Sequence, residues 1–336
     1  MSPKVAVVIL NYNTSHLLER FLPLVQQSTY PNLEIVVADN ASTDNSVSLC
    51  VQQFPDVRIL ETGSNLGYAG GYNHVLPQVA ADFYVLLNSD VEVTPNWLEP
   101  MVSLATKHPE IAAIQPAILD FHKKSHFEYA GAAGGWIDRY GYPFCRGRVF
   151  HVLEAQEQQY STPSDIFWAS GAAMFIRAAD FHAAGGFDQH FFAHMEEIDL
   201  CWRLQLSGKR IVYCPDSTIY HMGGGTLSHQ SAHKTYLNFR NGLLMLEKNL
   251  PEAERSGIIF RRLLLDGLAA VKFMAAAKFS HVWAIWKAHR YFHQHRSKFR
   301  PVVSPEPRTL SGRYNGSIVW DFYLRGKKHF RSIVRG

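Results

Sequence analysis

Short apolar runs at Val5 to Leu10, Leu33 to Ala38, Val57 to Leu60 and Phe83 to Asn88 recur with helix-length stretches between them. Each run has the length of one buried strand, and the segments reaching about Gln27, about Phe54 and toward Ala81 have the length of a helix. Strands and helices that alternate in this way fold into a mostly parallel sheet covered on both faces, because each crossover is right-handed. The expected fold class is α/β. A helix over Pro95 to His108 and a strand over Ile111 to Ile114 extend the series. In such sheets ligands bind beyond the carboxyl ends of the strands. Polar clusters follow the strands at Asn11 to Ser15, Asp39 to Asp44, Asn65 to Asn73 and Asn88 to Asp90, so the pattern predicts that they meet along one edge.

The fourth strand reads F-Y-V-L-L-N-S-D and delivers the carboxylate of Asp90 at the end of a rigid element, after Asn88 and Ser89. A hard cation such as Mg²⁺ or Mn²⁺ takes one or two protein carboxylates and fills its other positions with water and phosphate oxygens. Asp90 therefore suits a metal shared with a diphosphate; the competing reading is a turn or helix-capping aspartate. Asp39 at the second strand end suits a ribose hydroxyl, with Asn40 beside it for ribose or base, against an Asx turn or cap. In the cluster Asn65 to Asn73, Gly67 and Gly71 allow either close approach of backbone to a diphosphate or close helix-to-sheet packing.

Several classes are disfavoured. Gly67-x-x-Gly70-Gly71 is not G-x-G-x-x-G, and no Walker A motif occurs. A sugar nucleotidyltransferase would need a Gly- and Lys-rich phosphate loop where Asn11-Tyr12-Asn13 stands. No helix-turn-helix, zinc-finger or RNA-binding signature points to nucleic acid. The four cysteines lack C-x-x-C spacing, which suits a reducing compartment and makes the cytosol the expected location. The run Val5 to Leu10 is far too short for a signal-peptide core or a membrane span.

In the second half, Asp120 to Ser164 has poor periodicity and reads as loops and short strands. Asp165 to Arg177 feeds a buried strand past Trp168, and Ala178 to Ala184 is a short helix. Glu196, Glu197 and Asp199 then fall at the expected start of a helix running to Gln205. Three acids there either complement the helix dipole or include a general base. Arg203 lies on the same face and can pair with them. A strand over Arg210 to Cys214 precedes Y-H-M-G-G-G-T at Tyr220 to Thr226, where His221 could be a neutral nitrogen ligand to the same metal and the glycines a mobile lid.

Together, N-Y-N, D-N-A-S-T-D, N-L-G-Y-A-G-G-Y-N, N-S-D, F-F-x-x-M-E-E-I-D-L-C-W-R and H-M-G-G-G-T resemble glycosyltransferase family 2 over roughly residues 4 to 250, nearest its bacterial rhamnosyltransferase-like branch. The resemblance implies a glycosyltransferase A fold and inverting transfer from a nucleoside diphosphate sugar, dTDP-rhamnose being one such donor, to a glycan or lipid-linked acceptor. By that likeness Asp39 and the Asn11 region, with Asn13, Asn40 and Asp44, receive the nucleoside. Asn65, Gly67, Gly71, Asn73, Asn88, Ser89, Trp168, Asp199 and Arg203 complete the substrate set. Asp90 and His221 hold the Mg²⁺ or Mn²⁺. The family's E-D pair falls on Glu196-Glu197, with Glu197 as base where Asp is usual. A non-catalytic nucleotide-sugar binding protein is the remaining alternative.

The net charge of +4 hides a division: residues 237 to 336 hold 19 Lys or Arg against 6 Asp or Glu. The expected organisation is a catalytic domain over 1 to 235 and a basic helical extension over 236 to 336. Amphipathic helices over Ile258 to Phe279 and His281 to His295 either pack on the catalytic domain or lie on the anionic inner face of the cytoplasmic membrane. The tail after Pro301 is expected to fold back.

Overall fold

In the computed structural model, residues 2–223, 231–301, 305–306 and 308–334 are described. The chain opens with β1 (Val5–Asn11), α1 (Ser15–Gln26), β2 (Leu33–Asp39), α2 (Ser46–Gln53), β3 (Arg58–Glu61), α3 (Gly67–Val75) and β4 (Phe83–Asn88). It continues with β5 (Val91–Val93), α4 (Leu98–Lys107) and β6 (Ile111–Asp120). A small-stranded region follows: β7 (Gly135–Asp138), β8 (Pro143–Cys145), β9 (Arg148–Val149), β10 (Val152–Leu153) and β11 (Ser164–Asp165). Then come β12 (Ala173–Arg177), α5 (Ala178–Ala183), α6 (Glu196–Leu206) and β13 (Arg210–His221). The basic end forms α7 (Ala232–Asn249), α8 (Glu252–Ala275), α9 (Phe279–His295), β14 (Arg313–Tyr314), α10 (Ile318–Tyr323) and α11 (Phe330–Ile333).

The main sheet runs β11-β13-β6-β12-β4-β1-β2-β3, with β5 on β13. Strands β3, β2, β1 and β4 are parallel, as are β6 and β13, while β12 runs antiparallel between β4 and β6. Val5, Val7 and Ile9 pack on one face of the sheet, and Ala6 and Val8 on the other. A strand buried on both faces is why β1 and β4 read as continuous apolar runs.

Strands β6 and β13 are longer than expected, reaching Asp120 and His221. Pro116 and Pro215 hid this: they fall where the β6–β13 register shifts, between Cys214 and Thr218. A proline cannot donate to the ladder and is tolerated at such a bulge. His221 therefore sits at the end of a strand. Of the expected glycine lid, 224–226 lies outside the described residues.

A second sheet, β10-β9-β8-β7-β14, takes its last strand from the far end of the chain. The tail does fold back: Ile318 N donates to Asp138 Oδ2 at 3.0 Å, and Phe330 packs on Trp136 and Phe144. Residue 235, the expected domain boundary, falls inside α7.

Candidate active site

Pairing register alone aligns the polar strand ends. Asn11 pairs with Asp39, Asp39 with Glu61, and Leu10 with Asn88, so the clusters after β1 to β4 share one edge. There Asn11 Nδ2 donates to Asp39 Oδ1 and to Ser42 Oγ, both at 3.0 Å, while Ser42 N donates to Asp39 Oδ2 at 2.9 Å. Thr14 Oγ1 donates to Asn11 Oδ1 at 2.5 Å and lies 3.0 Å from Ser89 Oγ, tying the first cluster to the fourth. Asn13 Oδ1 accepts from Thr43 N at 2.7 Å, and Asp44 Oδ2 accepts from Ser15 N at 3.0 Å. Asn40 accepts from Leu66 N and donates to Asn65 Oδ1 and the Gly67 carbonyl. The result is a preorganised polar shelf in which Asp39 is held as a buried carboxylate.

One step along the edge, Asp90 Oδ1 lies 3.1 Å from His221 Nε2, and His221 Nδ1 lies 3.0 Å from Glu128 Oε2, all three buried. Burial alone would lower the imidazole pKa, but the two carboxylates outweigh it and push it up to about 10, so His221 would have to give up its Nε2 proton to hold a cation. Glu128 was missed in the sequence because it lies in the aperiodic stretch and meets His221 only in space. Its backbone anchors it: Glu128 N donates to Ile118 O at 3.0 Å.

The Asp90–His221 separation fits a divalent cation. Two neighbouring ligands of an octahedral ion at about 2.1 Å each stand about 3 Å apart. Among the described residues no cluster of three or more His, Cys, Asp or Glu encloses a metal ion, so a cation here would draw further ligands from water and phosphate. A carboxylate with an imidazole suits Mn²⁺ at least as well as Mg²⁺. Glu128 stands where a metal-bound histidine usually finds the carboxylate that orients its ring.

Across this edge, Glu196 and Glu197 begin α6. The loop before them holds Phe192, His194 and Met195 at φ values of 62°, 69° and 75°, strained for residues with side chains. Two elements hold it there. Phe192 O accepts from Tyr68 N at 2.7 Å and Ala69 N at 3.2 Å, amides in the first turn of α3 that have no acceptor within the helix. On the other side, the buried Asn241 of α7 donates through Nδ2 to the carbonyls of Phe191, Ala193 and His194 at 2.9, 3.0 and 2.7 Å. Arg240 adds donors to the carbonyls of His190 and Phe191. One oxygen of each glutamate, Oε2, is buried without a hydrogen-bond partner among the described residues. Burial raises both carboxyls, Glu196 also through the charge of Glu197, and Glu197 reaches about 7.

Neighbours of the two acidic centres, Tyr68 and Asn88, bond the same turn. Tyr68, whose phenol is pushed up by burial, by Tyr72 and by both glutamates, donates to Gly171 O at 2.8 Å. The next residue, Ala172, accepts from Asn88 N at 3.0 Å, two residues before Asp90.

Other expected site residues are committed to packing. At Gly67 and Gly71 close packing requires glycine: a Cβ at Gly67 would meet the Phe192 ring at 2.5 Å, and one at Gly71 would meet Leu10 at 2.7 Å. Asn73 turns away to bond both N and O of Phe187. Trp168 is buried and donates to Trp136 O at 3.0 Å. Asp199 is fully buried among Arg203, Lys248 and Asn249, and Arg203 also binds the carbonyls of Ala184 and Gly186. That cluster holds α6 to α7.

The sequence profile of the family described as "Glycosyl transferase family 2" matches residues 6–181. An N-acetylglucosaminyl-diphospho-decaprenol L-rhamnosyltransferase of Mycobacterium tuberculosis is 29% identical over 259 residues, covering 70% of this chain and 84% of the relative. A low-salt glycan biosynthesis hexosyltransferase of Haloferax volcanii is 22% identical, covering 84% and 88%. Among solved structures, a mannosyltransferase from Pyrobaculum calidifontis in complex with GDP-Man and Mn²⁺ superposes with a TM-score of 0.53 at 17% identity, over 88% of this chain and 76% of that one. The sheet with its flanking helices is the glycosyltransferase A fold.

Proposed function

Because the chain belongs to glycosyl transferase family 2, we propose that it moves a sugar from a nucleoside diphosphate donor to an acceptor hydroxyl with inversion, using Asp90, His221 and Glu197. One observation carries the reading. A buried Asp–His pair is spaced for a divalent cation, a glutamate pair has Oε2 atoms without a hydrogen-bond partner among the described residues, and Asn88 and Tyr68, neighbours of the two pairs, bond one turn at Gly171–Ala172.

The nucleoside lies on the shelf made by Asn11, Asn13, Asp39, Asn40 and Asp44, where Asp39 accepts from a ribose hydroxyl. Asp90 and His221 would hold the cation, with Glu128 keeping the His221 ring in place, and a bound cation would supply positive charge to the departing diphosphate. Glu197 accepts the proton of the acceptor hydroxyl. The freed oxygen attacks the anomeric carbon as the bond from that carbon to the diphosphate oxygen breaks, its electron pair leaving with the nucleoside diphosphate. Attack opposite the leaving group inverts the anomeric centre. The raised pKa of Glu197 suits a base that must take a proton near neutral pH. The mycobacterial relative's name supports rhamnose as the sugar and a polyprenyl-diphosphate-linked saccharide as the acceptor, and thus work at the inner face of the cytoplasmic membrane.

A panel of nucleoside diphosphate sugars, read as diphosphate release with Mn²⁺, with Mg²⁺ and with EDTA, tests the proposal. Release from at least one donor, a dTDP sugar foremost, is expected with metal and lost with EDTA. Binding of donors without any turnover would overturn it in favour of a non-catalytic binding protein. Retained anomeric configuration in the product would overturn the single displacement.

A further inference from the structure

Helix α8 has its polarity inverted. Its buried face carries Arg255, Arg262 and Asp266 beside Ile258 and Ile259. Arg262 binds Asp266 at 2.8 Å and the carbonyls of Tyr140 and Gly141 at 3.2 Å. On the opposite face Phe260, Leu264, Leu268, Val271 and Met274 recur at helical spacing, each more than half exposed. A helix that served only to cover the second sheet would turn this stripe inward.

Helix α9 extends the stripe. Phe279, Trp283 and Trp286 are 66%, 53% and 46% exposed. The two indoles stack at 4.4 Å, with Lys287 and Arg290 over them at 5.7 and 5.5 Å. Lys272 bonds the hydroxyl of Tyr323 at 3.2 Å and so joins α10, with its exposed Trp320, to the same face. Charge is one-sided. From Gly267 to Pro305 the chain has no Asp or Glu and seven Lys or Arg.

We propose that α8, α9 and α10 together bind the surface of an anionic lipid bilayer, the apolar side chains at the headgroup boundary and the lysines and arginines against lipid phosphates. Aromatic residues flanked by cations, along a stretch from Gly267 to Pro305 that has no carboxylate side chain, match the interface in both chemistry and sign. A second copy of the chain fits worse, since a two-fold contact would set this basic stretch against itself. The binding lies flat: among the described residues no helix is long and apolar enough to cross a membrane. Thr235 Oγ1 lies 2.8 Å from His281 Nδ1, which ties the hairpin tip to the start of α7, the helix whose later turn holds the glutamate-bearing loop. Delivery of a lipid-linked acceptor to that loop rests on the function proposed above; vesicle binding does not.

Flotation of the full chain with vesicles of phosphatidylcholine, alone or mixed with phosphatidylglycerol, at low and high salt, tests this. Binding is expected with phosphatidylglycerol at low salt, weakened by salt and poor with phosphatidylcholine alone. Leu264→Glu/Leu268→Glu should lose roughly a hundredfold in partitioning, tenfold or more for each leucine no longer buried. Lys287→Glu/Arg290→Glu should reduce the preference for phosphatidylglycerol. Both variants should melt with the wild type and release diphosphate from donor in solution at its rate, which separates a failed surface from a failed enzyme. No flotation of the wild type at low salt, or equal flotation of the Leu264→Glu/Leu268→Glu protein, would overturn the proposal. So would a wild-type dimer in size-exclusion chromatography that those glutamates dissolve.

Discussion

Asn241 holds the loop that leads into Glu196 and Glu197, the latter proposed above as the base. Its Nδ2 serves three carbonyls of the strained loop, and its Oδ1 accepts from Arg240 Nε at 2.8 Å. In Asn241→Ala the Phe191 carbonyl keeps Arg240 as donor, whereas Ala193 and His194 lose theirs. Two part-buried hydrogen bonds at about 1 to 1.5 kcal/mol each come to about 2 to 3 kcal/mol. With an unfolding entropy of about 2.1 cal/mol/K per residue, a chain of this length should melt about 3 to 4 °C lower. The effect on turnover should be larger than the effect on stability. Released from positive φ, the loop lets α6 start elsewhere, and a displacement of about 1 Å at a reacting group costs about a hundredfold. Differential scanning fluorimetry and steady-state kinetics with varied donor are the assays: kcat should fall about a hundredfold while KM for the donor, bound at the β1–β2 shelf, stays near wild type. The isosteric Asn241→Asp is the sharper probe, because it turns an acceptor toward three carbonyls and should lose at least as much on both measures. An Asn241→Asp protein that melts and turns over like the wild type would refute the reasoning.

Glu197→Gln should abolish transfer while the fold is kept, checked by product formation beside circular dichroism. With Glu197 raised to about 7 by burial, the folded chain binds more protons than the unfolded chain between about pH 4.3 and that value, so stability should fall as pH rises through this window while transfer rises; Glu197→Gln should flatten its share of the melting profile. Asp90→Ala should remove Mn²⁺ binding and transfer together, read by the free Mn²⁺ signal in electron paramagnetic resonance. Glu128→Ala should weaken Mn²⁺ binding by about 10- to 100-fold in the same titration, with Asp90 and His221 still present.

The shelf was legible in the sequence because strand register is a consequence of apolar runs of fixed length: once β1 to β4 are parallel, Asn11, Asp39 and Asn88 must align. What lay beyond was decided by contacts between distant segments. Pro116 and Pro215 broke the apolar pattern at a shared bulge and so concealed half of β13. The glycines of N-L-G-Y-A-G-G-Y-N have the composition of a phosphate loop, but what requires them is the nearness of Phe192 and Leu10. Asp199 and Arg203 carry the charges expected of a site, yet they pair with each other, and Lys248 and Asn249 some 50 positions later complete the shell around Asp199. For α8 the sequence showed an amphipathic helix; only the second sheet, by accepting Arg262 and Asp266, determined which face turned outward.

The same long-range contacts bear on whether residues 1–235 stand alone. Truncation after residue 235 removes Arg240, Asn241, Lys248 and Asn249 in one cut. Asp199, fully buried, would keep Arg203 but lose Lys248 at 3.1 Å and Asn249 at 2.7 Å, and Asp188 would lose Lys248 at 2.8 Å. Breaking a buried ionic cluster costs about 3 to 5 kcal/mol. To this is added the loss of the burial that Leu243, Leu244, Met245 and Leu246, all completely buried, share with the core surface they cover, which the cut lays open. At about 1.5 to 3 kcal/mol for each large apolar side chain, that loss alone reaches the usual margin of stability of a whole domain, about 5 to 15 kcal/mol. A chain ending at 235 should therefore show no cooperative melting transition and should bind no donor, even though the β1–β4 shelf lies wholly within it. A chain ending at 250 restores both the cluster and these four side chains and should recover a cooperative transition. Should the shorter chain melt cooperatively and bind donor, the basic helices would be an appendage, and the rigidity of the Glu196–Glu197 turn would have to come from α3 alone.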